Sequence, residues 1–244
     1  ADLENGGNII CRVFRVVGRV LVLLKELIFY RPSFTDFRKN REKLERDFEV
    51  IGERVSENRK PLCVYFVSSD DHNGAILGNQ LYYYHHYKIR DLQKHFAVAP
   101  KVVSSQEEIK GFMAKVKREN AGKEIKFVDV VAHGSSSSIC IKKDFGKYID
   151  TGNLQLDLFA DCALDATILL DACSTGEGKG SIAEKIALNT LDRKVLAPAT
   201  YLYFSKPVIK VEDGDPRVTA AVHGFAIFNA YKNREFYHES ALTA

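Results

Sequence analysis

Residues 125–134, IKFVDVVAHG, and residues 167–176, TILLDACSTG, follow one plan. Each is an apolar run of strand length that stops at a residue capable of chemistry, His133 in the first and Cys173 in the second, before small residues and a loop. Short apolar runs bounded by turn signals read as buried strands. As neighbouring parallel strands they would deliver an imidazole and a thiol to one cleft at the carboxyl edge of a sheet, where open α/β folds bind their ligands.

The chain around these runs alternates strand and helix signals from Pro61 onward, the pattern of a mostly parallel sheet covered by helices on both faces. Residues 62–67 (LCVYFV) make a first buried strand, ending in the polar loop SSDDHNGA. A helix over 77–95 and a strand over 96–103 follow. Ser105 with Glu108 spells a capping box that opens a helix running to about residue 120. After His133 come a serine run and a hairpin through ICIKKDFGKYID, then a short helix over 154–164. Residues 181–190 read as a helix, 194–202 as a strand, and GDP at 214–216 as a turn before a last apolar segment, AAVHGFAIFNAYK. No internal repeat is present.

Residues 1–60 form a separate N-terminal segment, and 61–244 the main domain. Within the first, 36–58 place Phe37, Leu44, Phe48, Ile51 and Val55 at helical intervals, a surface helix with one buried stripe. Residues 8–30 are the most apolar stretch, closed by Pro32, with Arg12, Arg15, Arg19 and Glu26 on one narrow stripe. Three settings stay open for it: a helix packed on the main domain or a partner helix, a basic amphipathic helix on a membrane surface, or a span.

The chain has 244 residues, 45% of them hydrophobic, enough to bury a full core. A formal charge of +3 without a Lys/Arg block argues against nucleic acid. The five cysteines, Cys11, Cys63, Cys140, Cys162 and Cys173, lack CxxC spacing and are odd in number, which implies a reducing setting such as cytoplasm. Delivery into a host cell as an effector fits the same usage. The chain begins at Ala1 with Met113 as its methionine, which reads as a processed product or an excised piece. His72 beside Asp70 and Asp71 reads as a solvated turn, so no metal and no cofactor are expected. GEGKGS at 176–181 lacks both the phosphate-loop and the dinucleotide spacing. Asp129 is assigned no role, and His85, His86 and His95 need none.

A thiol titrates near about 8.5 and needs a base or an electropositive setting to act as a thiolate near neutrality. His133 can be that base, and the loop and helix start after Cys173 can add electropositive N–H groups. Gly134 and Gly176 permit close backbone approach to a substrate.

The ordered pair, strand–His133–Gly134 and then strand–Asp171–Ala172–Cys173, resembles the caspase-like cysteine peptidases, a group that includes clostripain, gingipain, legumain, separase and the CHAT-type domains. The likeness spans residues 61–202. The caspase pentapeptide around the nucleophile is not present, which sets the chain nearer to clostripain and CHAT members. The resemblance implies Cys173 as nucleophile, His133 as general base and later acid, and the N–H groups of Gly134 and Cys173 as an oxyanion hole. It implies that no carboxylate is needed as a third member. It also implies a substrate-binding role for Asp171, which with Asp70 and Asp71 would favour cleavage of a protein or peptide substrate after Arg or Lys. The alternative is a catalytically silent module of the same fold that docks to a partner or membrane through residues 8–30.

Overall fold

The computed structural model describes residues 37–71, 73–141, 148–190, 193–200, 205–222, 228–232 and 235–239. The expected helix over 8–30 lies outside them. Chain order is α1 (Phe37–Glu53), β1 (Leu62–Ser68), α2 (Asn79–Leu92), β2 (Ala97–Val103), α3 (Gln106–Glu119) and β3 (Ile125–Val131). Three short strands follow, β4 (His133–Ser135), β5 (Ser138–Cys140) and β6 (Tyr148–Asp150). Then come β7 (Cys162–Asp171), α4 (Ile182–Asn189), β8 (Lys194–Pro198), β9 (Lys206–Glu212), β10 (Asp215–Val222), β11 (Phe228–Lys232) and β12 (Glu235–Glu239).

Seven strands form the central sheet in the order β12-β11-β8-β7-β3-β1-β2. From β2 to β8 the pairs are parallel, and β11 joins β8 antiparallel. Every residue of β1 is buried, as are six of the seven in β3. A parallel sheet covered on both faces requires such unbroken apolar runs, which is why these strands do not alternate. One face packs Val64, Phe66, Val128, Val130, Ile168 and Leu170 under α3 and α4, with Ile139 and Ile149 of the small β4-β5-β6 sheet completing the cluster. The opposite face packs Tyr65, Val67, Phe127, Val131 and Leu169 under α1, α2 and the β9-β10 hairpin, through Leu44, Phe48, Ile89, Leu92, Val218 and Ala221. The α/β class read from the alternation is therefore the class observed.

The chain moves outward from β1 to β2, then crosses back to place β3 on the other side of β1. That reversal opens a crevice between the loops that leave β1 and β3, the position at which open α/β sheets bind ligands. The β1 loop carries Ser69, Asp70 and Asp71, and the β3 end carries His133.

Local chemistry sets the boundaries. Ser105 accepts a hydrogen bond from the Glu108 N–H at 3.2 Å and so starts α3, while the Glu108 carboxylate turns back to the N–H of Ser104, one residue earlier than a capping box requires. Helix α2 starts at Asn79 rather than 77, because the N–H groups of Ile76 and Leu77 are taken by Asp71. No helix forms at 154–164; the segment is turns leading into β7, which begins at Cys162. Arg193 donates to the carbonyls of Ala160 and Cys162 and to Thr190, supplying from a side chain the bonds a helix would have made internally. The serine run is the tip of the β4-β5 hairpin. The turn expected at GDP sits at Asp213 and Gly214, both at positive φ, one residue earlier; two such residues in a row suit a two-residue hairpin. No helix among the described residues is long and apolar enough to cross a membrane.

Phe127 is fully buried, with its ring centroid 5.9 Å from that of Phe96. Phe127→Ala is expected to cost about 3–5 kcal/mol. Leu188→Ala, on an exposed position, should stay within about 0.5 kcal/mol. Urea unfolding midpoints at unchanged slope would check both.

Candidate active site

Register brings the two strand ends out at one edge. In the parallel β3-β7 pair Val131 stands opposite Asp171, and the Ala132 N–H continues the ladder to the Asp171 carbonyl at 3.2 Å. His133 and Cys173 each follow this last pair by two residues, at the same carboxyl edge. Gly134 seals the junction. A Cβ there would lie 2.9 Å from the Cys173 carbonyl oxygen, 3.0 Å from Ala172 Cβ and 2.7 Å from Thr175 Cγ2, so the His-Gly turn rests directly on the cysteine loop. Ser174, next after the cysteine, has φ 55, a left-handed conformation rare for a residue with a Cβ. Its N–H is held by the Thr200 carbonyl at 3.0 Å. Cys173 is half-buried and packs against the α2 side of the core; Cys63, Cys140 and Cys162 are buried.

His133 is half-buried, and its Nε2 lies 3.0 Å from Asp71 Oδ1. The carboxylate can only accept, so Nε2 carries the hydrogen and the neutral ring keeps its lone pair at Nδ1. The other oxygen, Oδ2, accepts from the backbone N–H groups of Ile76 at 3.0 Å and Leu77 at 2.5 Å. Burial works against the Asp71 carboxylate, but these bonds from His133, Leu77 and Ile76 outweigh it and hold its pKa below the ordinary value. A carboxylate nonetheless stands beside the histidine: Asp71, whose side chain is fully buried.

Asp171 is engaged elsewhere. Its Oδ2 lies 2.7 Å from Lys88 Nζ of α2, and its carboxylate also accepts the Ser205 N–H at 3.1 Å. Lys88 lies equally 2.7 Å from Asp129 Oδ2, and the three side chains are all but completely buried. The cation that the sequence reading assigned to a substrate is supplied for Asp171 by the chain itself. Asp129, given no role from sequence, is the other half of this internal ion cluster. Burial works against the Lys88 ammonium, but the two carboxylates outweigh it and raise its pKa. One cation cannot balance two anions in a low dielectric, and Asp129, with the ammonium contact alone among the described residues, takes up the excess. Burial pushes the Asp129 carboxyl up to about 7; Lys88 opposes this and Asp171 adds to it.

Asp70 is half-buried, and its carboxylate accepts a hydrogen bond from the Cys140 thiol at 3.1 Å. Cys140 pairs with His133 across β4-β5 and with Tyr148 across β5-β6, so the three form a row on one face of the small sheet. Tyr148 is exposed. His85, given no role from sequence, is fully buried: its Nε2 donates to the Ile76 carbonyl at 2.8 Å and its Nδ1 accepts from Tyr65 Oη at 2.8 Å. Burial brings its pKa down to about 4, so it stays neutral in this bracket. A lysine and a histidine on a helix crowded with tyrosines left no pattern from which these roles could be read. Among the described residues no group of three or more His, Cys, Asp and Glu is placed to hold a metal ion.

The fold and site together define an α/β protein that holds an imidazole on a buried carboxylate at a sheet reversal, with a thiol just past the end of the neighbouring strand. A family described as "Domain of unknown function (DUF8616)" matches residues 98–216, a stretch that contains both His133 and Cys173. No curated protein matches the chain. Among solved structures the chain is similar to caspase-1 from Spodoptera frugiperda, at 15% identity and a TM-score of 0.37, over 63% of this chain and 65% of that one.

Lys88→Met should destabilise the fold by about 3–5 kcal/mol, because it strands two buried carboxylates. Asp129→Asn should be tolerated. A carboxyl whose pKa is raised by folding binds its proton more tightly in the native state, so its contribution is lost as pH rises from its unfolded value, about 4, toward about 7. The variant's melting temperature is therefore expected to gain on the parent's over that range, as thermal unfolding at stepped pH would record. Gly134→Ala, which must displace the Cys173 loop, should cost about 1–3 kcal/mol and slow Cys173 alkylation.

Proposed function

We propose that the chain is a cysteine endopeptidase. The observation that carries this reading is the seating of Gly134, the residue after His133, on the Cys173 loop. In the first half of the reaction His133 Nδ1 takes the Cys173 proton, and the sulfur attacks the scissile carbonyl carbon. The tetrahedral oxyanion is received by the N–H groups of Gly134 and Cys173. The C–N bond breaks as the imidazolium returns its proton to the leaving amine, leaving a thioester. Water then loses a proton to His133 and attacks the acyl carbon, and the C–S bond breaks to release the acid. The relaxed packing of Cys173, half-buried where the other described cysteines are buried, supports it as the sulfur a substrate can reach.

Of the three acidic residues considered for substrate binding, Asp171 is matched by Lys88 and Asp71 by His133 and two backbone groups. Asp70 has a thiol, a weak donor, on its carboxylate, and it lies beside the row that holds His133. Preference for a basic side chain in the substrate is accordingly assigned to Asp70, with the face of Tyr148 available to stack on the cation.

An acyloxymethyl ketone carrying a basic side chain is expected to label the chain at one site, and Cys173→Ala to abolish both labelling and peptide cleavage. Labelling spread over all thiols, or retained in the variant, would end the peptidase reading. Asp70→Asn should lower kcat/KM for Arg and Lys substrates at least about tenfold while sparing neutral ones. A peptide library profile without preference for basic residues would remove the specificity assignment alone.

A further inference from the structure

We infer that Asp71 is a positioning residue for His133, making the site a triad rather than a dyad. This rests on the roles given to His133 and Cys173 above. Asp71 came from the sequence as a substrate contact, yet its side chain is closed to solvent and its carboxylate is taken up by His133 and the N–H groups of Ile76 and Leu77. Its Oδ1 holds the His133 Nε2–H at 3.0 Å. The imidazole therefore presents Nδ1 as its basic atom before any substrate arrives. When that atom takes the thiol proton, the Nε2–H stays on nitrogen, and the ionised carboxylate stabilises the imidazolium by charge.

The carboxylate is itself fastened. The Ile76 and Leu77 N–H groups fix Oδ2, the Ile76 carbonyl accepts from buried His85, and Tyr65 Oη holds the far side of that ring. The Leu77 carbonyl accepts from Asn40 of α1 at 2.8 Å. Gly74 closes the loop at φ +80, where a Cβ would meet the Phe37 ring at 3.0 Å. Loop 71–78 is thus tied to β1, α1 and α2 at once, which suits a group that must aim a ring.

The test uses the full chain and Asp71→Asn, which keeps the shape but lets an amide N–H face the ring and favours the other tautomer. Histidine side-chain NMR should show His133 in the Nε2–H form in the parent and a shift of tautomer in Asp71→Asn. Alkylation of Cys173 at neutral pH should slow by about tenfold or more. For a peptide substrate, kcat should fall by about 10²–10⁴-fold with KM within about twofold, and Asp71→Glu should recover part of it. An unchanged tautomer and an unchanged Cys173 alkylation rate in a folded Asp71→Asn would overturn the inference. Should that variant fail to fold, an Nδ1–H tautomer for His133 in the parent would overturn it equally. A parent whose Cys173 alkylates no faster than a free thiol and cleaves no peptide, while His133 still depends on Asp71, would instead remove the peptidase reading and leave the pairing standing.

Discussion

The buried ammonium of Lys88 organises the carboxyl edge of the central sheet. Lys88 reaches from α2 to two carboxylates, Asp129 inside β3 and Asp171 at the last position of β7. Burying an ion without a partner costs several kcal/mol, so neither strand can slide without exposing its charge to a dry core. The same contact that neutralises the interior therefore holds β3 and β7 in the one register that brings the ends before His133 and Cys173 out at the same edge. Asp171 also takes the Ser205 N–H, which ties the segment before β9 to the same point.

The site is divided between two kinds of support. Cys173 is presented by a strained turn, Ser174 at positive φ, backed by Gly134 at a distance no other residue would allow. His133 is held by a loop that crosses the sheet reversal, through a carboxylate whose remaining oxygen is occupied by backbone donors. Backbone strain fixes the sulfur, and a network of hydrogen bonds fixes the ring. The carboxylate that holds the ring is buried, where charge interactions are weakly screened.

The strands were legible because parallel strands covered on both faces cannot carry polar residues freely. The runs at 62–67, 125–131 and 167–171 announced themselves, and so did the residues at which they stop. The capped starts of α3 and α4 were legible for a local reason, since Ser105 and Ser181 bond N–H groups three residues on. The stretch at 154–164 misled, because its turns are held by Arg193, more than thirty residues later in the chain. Asp71 and Asp171 were singled out as acidic residues near the site, but their partners, His133 and Lys88, are distant in sequence, and a carboxylate looks the same on the page whether it faces solvent or a buried cation.

What the amino-acid order determined by itself was the layered α/β architecture and the two strand ends that lead to His133 and Cys173, since hydrophobic periodicity and turn chemistry are local. What only the tertiary structure decided was which charges neutralise one another: Lys88 with Asp129 and Asp171, Asp71 with His133, and Asp70 left beside a thiol. Electrostatic partnership in a dry interior depends on distance in space, and nothing in the spacing of these residues along the chain encodes it.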